Sequence, residues 1–165
     1  MPNKNTFDIK PIKELIHRYY KSDETWLNPF ANTNTYGITN DLDSQYNTDY
    51  HLDALDFLQL FRNKVQNNET VINGVLYDPP FSPRQVSECY KRLGKTVNMQ
   101  TTQASYWSNH KKLISEIVKK DGIVITCGWN SGGIGKKYGF EIIEILLVPH
   151  GGWHNDTIVT VERKL

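Results

Sequence analysis

Cysteine is scarce in this sequence. Cys89 and Cys127 are its only two. They lie far apart and form no Cys-x-x-Cys pair, which excludes a disulfide framework and a zinc ribbon. They read as two reduced, partly buried thiols. Long apolar runs are also missing. None approaches the roughly 18 residues needed to span a membrane. The opening Met1-Pro2-Asn3-Lys4-Asn5 lacks an apolar signal segment, so a cytoplasmic protein with no membrane partner is expected. There is no internal repeat and no low-complexity tract. Gly132-Gly133-Ile134-Gly135 lacks the Lys-Ser/Thr that would make it a phosphate loop. Ser131, His110 and His17 show no nucleophile pattern. His150, His154 and Asp156 suggest no third or fourth ligand by spacing, so no metal site is expected. Their loop reads instead as bordering a substrate.

Charge of one sign is not in excess, and the net is +1. Its distribution is uneven. Residues 1–81 carry 7 Lys+Arg against 11 Asp+Glu, whereas residues 82–165 carry 12 against 7. The basic second half, including Arg84, Lys91 and Arg92, would suit a polyanion, although several of these residues also read as solvated helix faces. With 38% apolar and 12% aromatic residues, the chain can build one core. A single domain over 1–165 is expected.

Apolar spacing predicts helices over 10–21, 53–64, 83–93 and about 105–120. Ser82 is placed to cap the third, with Pro83 at its first position. The fourth stops at Asp121-Gly122. Short strands are predicted near 26–30, 36–40 and 49–52, and firmer ones at 71–77, 123–127, 140–148 and 156–162. Residues 94–103 read as loop. Strands alternating with helices, then a final hairpin, predict an α/β fold with a mostly parallel sheet and a C-terminal antiparallel pair. Ligands in such sheets bind beyond the carboxyl ends of the strands. Asp78 lies at one such end, and Trp129 follows another.

The junction from strand to Asp78-Pro79-Pro80-Phe81 carries the chemistry. An exocyclic amine on a heteroaromatic ring is a poor nucleophile, because its lone pair is delocalised. Acceptors on its two N–H bonds draw the nitrogen toward tetrahedral geometry. A carboxylate and a nearby backbone carbonyl supply two acceptors, and consecutive prolines stiffen the turn that presents them. An adjacent aromatic ring can stack on the base, offsetting the cost of extracting it from a duplex.

Val75-Leu76-Tyr77-Asp78-Pro79-Pro80-Phe81 resembles the catalytic motif of the amino-methyltransferases that act on adenine N6. Lys10-Pro11-Ile12-Lys13-Glu14-Leu15 is similar to the stretch these enzymes carry before their cofactor strand. Asn28-Pro29-Phe30 resembles the start of their cofactor loop, Asp41-Leu42-Asp43 the acidic end of their second strand, and Asp53-Ala54 the position that contacts the cofactor adenine. The resemblance covers roughly residues 9–162. It implies a Rossmann-like class I methyltransferase sheet and S-adenosylmethionine as cofactor. It implies cofactor contacts at Lys10, Asn28, Phe30, Asp41, Asp43, Asp53 and Asp78. For catalysis it implies that Asp78 polarises the amine, Pro79 offers a carbonyl, Pro80 stiffens the turn and Phe81 stacks. The implied partner is nucleic acid, DNA ahead of RNA, bound through Arg84, Lys91, Arg92 and Trp129.

Two departures from the family pattern shape the expectation. Ala31-Asn32-Thr33-Asn34-Thr35 lacks the family's loop glycines, and five residues between Phe30 and Tyr36 are too few for a helical crossover. A first lobe trimmed of its helices is therefore expected. No segment is long enough for a separate target-recognition domain, so target choice is expected to be lax, or to come from a protein partner or from the basic second half. The alternative reading is a non-catalytic methyltransferase-like module that binds nucleic acid or a protein.

Overall fold

The computed structural model describes residues 5–96 and 105–165. Most of the predicted loop over 94–103 lies outside the described residues. A six-stranded sheet runs in the order β2-β1-β3-β4-β6-β5. Its strands are β1 (Trp26–Asn28), β2 (Ile38–Thr39), β3 (Ile72–Tyr77), β4 (Val118–Gly128), β5 (Phe140–Val148) and β6 (Thr157–Lys164). The first four in spatial order are parallel, and β6 is antiparallel to both β4 and β5. The helices are α1 (Lys10–Tyr19), α2 (Ala54–Gln66), α3 (Pro83–Arg92) and α4 (Ser105–Ile117). Among the described residues no helix is long and apolar enough to cross a membrane.

Amphipathic periodicity explains the layers. Ile12, Leu15 and Ile16 of α1 share one face and bury it on Trp26, Leu76, Ile125 and Val161. Phe57, Leu58 and Phe61 of α2, with Ile114 and Ile117 of α4, cover the other side of the sheet against Val75, Tyr77 and Val124. Caps set the helix starts. Asp53 accepts from Leu55 N at 2.9 Å, and Ser82 accepts from Gln85 N at 3.2 Å. Gly74 is dictated by packing, since a Cβ there would sit 2.5 Å from the Trp26 ring.

The first lobe is reduced, and β1 reaches its parallel neighbour β2 with no intervening helix. Asn32, with φ +52°, supplies the left-handed residue the tight return needs. Two expectations are corrected. The strand predicted at 49–52 is a single bridge from Asn40 to Tyr50. Asn40 explains this: its buried amide donates to the carbonyls of Pro29 (3.1 Å) and Leu52 (3.0 Å), and its oxygen accepts from Leu52 N. The fourth helix ends at Ile117 rather than 120, because Val118 already pairs with Ile72 as part of β4. Lys119 and Lys120 therefore lie on the exposed start of a strand.

The strand order reverses between β1 and β3, its topological switch point. Crevices that hold ligands form there, beyond the carboxyl ends of the strands. The residues that follow these two ends are Pro29-Phe30 and Asp78.

Candidate functional site

β3 must end at Tyr77, because Pro79 and Pro80 lack the N–H groups a ladder needs. Tyr77 is buried, and its hydroxyl is 2.9 Å from Nδ1 of buried His110. Burial lowers the His110 pKa to about 4, so this ring is a neutral strut rather than a base. The turn is locked from outside. Trp107 Nε1 donates to the Pro80 carbonyl at 3.0 Å, and Phe81 N donates to Gln85 Oε1 at 2.6 Å. Gln85 belongs to a Ser-x-x-Gln start of α3, whose third residue turns back toward the chain before the helix. Among the described residues no group donates to the Pro79 carbonyl.

Asp78 stands at the strand tip. The Thr6 hydroxyl donates to its carboxylate. Burial pushes the Asp78 pKa up to about 6, and the Thr6 bond opposes that rise. Protein crowds the carboxylate on most sides, yet the residue keeps partial exposure because two cavities open onto it.

The larger cavity, about 590 Å³, lies at the switch point between the first lobe and α3. Phe30, Asp41, Asp43, Asp53, Tyr90 and Tyr106 are among its walls. The smaller, about 470 Å³, lies between the proline turn, the 3-10 turn Thr6–Asp8 with Ile9, and the β5–β6 hairpin. Asp78, Pro80 and Gln85 line both cavities, so the carboxylate sits where the two meet.

The structure brings most of the anticipated residues together. Phe30 lines the larger cavity, its ring 5.9 Å from those of Tyr77 and His110. Asp41 lines it too, accepting from Asn32 N and Asp43 N at 2.9 Å each, and burial raises its pKa. Asp43 pairs with Arg92 at 3.3 Å, and Asp53 caps α2 while accepting from the Tyr90 hydroxyl. Asn28 stands apart. It is fully buried behind the loop, donating to Asn34 Oδ1 at 2.6 Å, and it lines neither cavity. Lys10 is exposed at the start of α1 and also lines neither. Pro79, Pro80 and Phe81 line the smaller cavity beside Trp129, whose ring centroid is 5.7 Å from that of Phe81. Of the basic residues, Arg84 is paired with Glu88 along the outer face of α3, Lys91 is exposed, and Arg92 is spent on Asp43.

Sequence reasoning missed Thr6 and Gln85, because their roles depend on contacts that spacing does not reveal. Gly132-Gly133-Ile134-Gly135 also has a function in the fold. Ile134 N and Gly135 N donate to the buried Glu162 carboxylate at 2.6 and 2.8 Å. A Cβ on Gly133 would lie 2.3 Å from Glu162 Oε2. The glycines cradle an internal anion.

No family model matches the sequence, and no curated protein matches it. Solved structures do match. SMU.776, provisionally described as a methyltransferase and solved in complex with SAH, superposes with a TM-score of 0.56 at 12% identity over 94% of this chain. TrmN from Thermus thermophilus gives 0.52 at 14% identity, also over 94% of this chain. The chain spans about half the length of these two, 49% and 48% respectively. The N-methyltransferase NodS from Bradyrhizobium japonicum gives 0.52 at 7% identity, with 99% of each chain covered. At such identities the likeness is one of fold. The strand order, the parallel first four strands and the closing antiparallel pair are those of a Rossmann-like class I methyltransferase sheet, and that is the fold of this chain.

Proposed function

We propose that the protein transfers a methyl group from S-adenosylmethionine to the exocyclic N6 amine of adenine in nucleic acid, DNA in preference to RNA. One observation carries the reading: the Asp78 carboxylate stands where the two cavities join, and Pro79, whose carbonyl takes no donor among the described residues, follows it on the wall of the smaller one.

The larger cavity suits a cationic adenosyl ligand. Among the described residues Asp41, Asp43, Asp53, Asp78 and Glu88 outnumber the single cation Arg92, and Phe30, Leu42, Leu93 and Tyr106 offer apolar surface. Bound there, S-adenosylmethionine supplies an electrophilic methyl group. Phe30, Asp41, Asp43 and Asp53 are the residues that would hold it. The chain's own residues do the rest. Asp78 and Pro79 accept the two amine N–H bonds and localise the nitrogen lone pair. Phe81, steadied by Trp129, stacks on the base. Asp78, with a pKa near 6, can take the proton the amine gives up and release it to solvent at neutral pH. The preference for DNA rests on the motif resemblance, and a protein partner would supply target choice.

A second reading is a non-catalytic methyltransferase-like module binding nucleic acid or a protein. It is favoured by the ties of Asp43 to Arg92 and Asp53 to Tyr90, which occupy two of the acids assigned to the cofactor. Labelled methyl transfer to unmodified DNA and RNA separates the two. Incorporation at adenine N6 that falls about 10²–10⁴-fold in Asp78→Ala supports the enzyme. Full activity in that variant removes Asp78 from the mechanism, and no incorporation on any nucleic acid favours the module.

A further inference from the structure

The smaller cavity has an unusual rim. Phe81, Trp129, His150, Trp153 and His154 contribute five aromatic rings, and none of its described lining residues is a lysine or arginine. Trp153 is the informative one. It is fully exposed, and it makes no hydrogen bond or ring contact with another described residue. It stands at the tip of the β5–β6 hairpin, after Gly151 (φ +69°) and Gly152 (φ +61°). The base of that hairpin is pinned. His150 N donates to Asp156 Oδ1 at 3.2 Å, and His150 Nε2 is 2.7 Å from Thr157 Oγ1. A large apolar ring is thus held in water on an anchored loop beside a cavity suited to a base.

Duplex binding draws its affinity from cations on phosphates, with steep salt dependence. Among the described residues the cavity wall holds none, and of the anticipated cations Arg84 and Arg92 are paired with Glu88 and Asp43 while Lys91 is exposed away from the wall's lining. Unpaired strands offer a second source of affinity, since every exposed base has a face that can stack on an aromatic platform. We infer that the acceptor enters as an unpaired stretch of nucleic acid, with a base next to the target stacked on Trp153. This rests on the nucleic-acid reading of the smaller cavity. Trp153 is then a binding residue that touches substrate without touching the reacting atoms.

The test is fluorescence anisotropy of a labelled oligodeoxyadenylate, unpaired or annealed to its complement, with the full chain, Trp153→Ala and Trp153→Phe. The unpaired strand binds about tenfold or more tightly than the duplex, Trp153→Ala weakens it by about tenfold, and Trp153→Phe restores most of the loss. Raising salt from about 50 to about 200 mM weakens binding by far less than the 10³-fold or more of a phosphate-driven complex. Equal or tighter duplex binding, no binding of the unpaired strand, or an unchanged Trp153→Ala overturns the inference. Trp153-dependent binding without methyl incorporation keeps the inference and removes the proposed reaction. Methyl transfer to duplex that ignores Trp153 does the reverse.

Discussion

Replacing Asp78 with asparagine should make the protein more stable and inactive. The fold holds this carboxyl at a pKa of about 6 against an ordinary value of 3.8. At about 1.36 kcal/mol per unit, keeping it ionised costs the native state up to roughly 3 kcal/mol. Water in the two adjoining cavities screens part of this, leaving about 1–2 kcal/mol. The sign follows from proton binding. The native state holds the Asp78 proton more tightly than the unfolded chain, so this group's favourable contribution is complete below about pH 4 and lost as pH rises through about 6. Asparagine keeps the shape and can still accept from Thr6, but carries no charge. The stability gap between Asp78→Asn and the parent chain should therefore widen by about 1–2 kcal/mol between about pH 4 and pH 8. Urea unfolding followed by tryptophan fluorescence at both pH values measures it. A gap that is flat with pH, or that narrows toward pH 8, refutes the reasoning. Methyl transfer by the same variant should fall about 10²–10⁴-fold at neutral pH.

Thr6→Ala removes the donor that opposes the rise in the Asp78 pKa. The acid limb of the pH–rate profile should move to higher pH by about half a unit, with Thr6→Ser restoring it. Gly133→Ala drives a methyl group against Glu162 and strains a residue at φ +49°. Thermal denaturation should show a loss of about 2–4 kcal/mol, and an unchanged midpoint would remove the cradle from the account. The larger cavity needs its apolar wall, so Phe30→Ala should weaken S-adenosylmethionine binding about tenfold or more by calorimetry, while Lys10→Ala leaves it unchanged.

Much of the fold was legible because local chemistry and periodicity agreed. Pro79 and Pro80 end β3 wherever it lies, Ser82-Pro83 begins α3, and the alternating runs after Phe140 are a hairpin by pattern. The lining of the larger cavity was partly legible for the same reason, as Phe30, Asp41, Asp43 and Asp53 follow strand ends or open a helix. What was not legible depended on distant partners. Thr6 reaches Asp78 across 72 positions of sequence. Gly133 answers to Glu162 on β6, and Arg92 pairs with the buried Asp43. In the glycine-free first loop Asn32 adopts the left-handed conformation that glycine usually fills, a detail composition does not reveal. Charged Lys119 and Lys120 read as helix, yet Val118 had already joined the sheet.

A crystal structure of the protein with S-adenosylhomocysteine and adenosine 5′-monophosphate tests the central claim most directly. The account predicts the homocysteine ligand in the cavity beside Phe30, Asp41 and Asp53, and the nucleotide base against Phe81 with its amine between Asp78 and the Pro79 carbonyl. A homocysteine ligand bound elsewhere, or a base whose amine points away from Asp78, would contradict it.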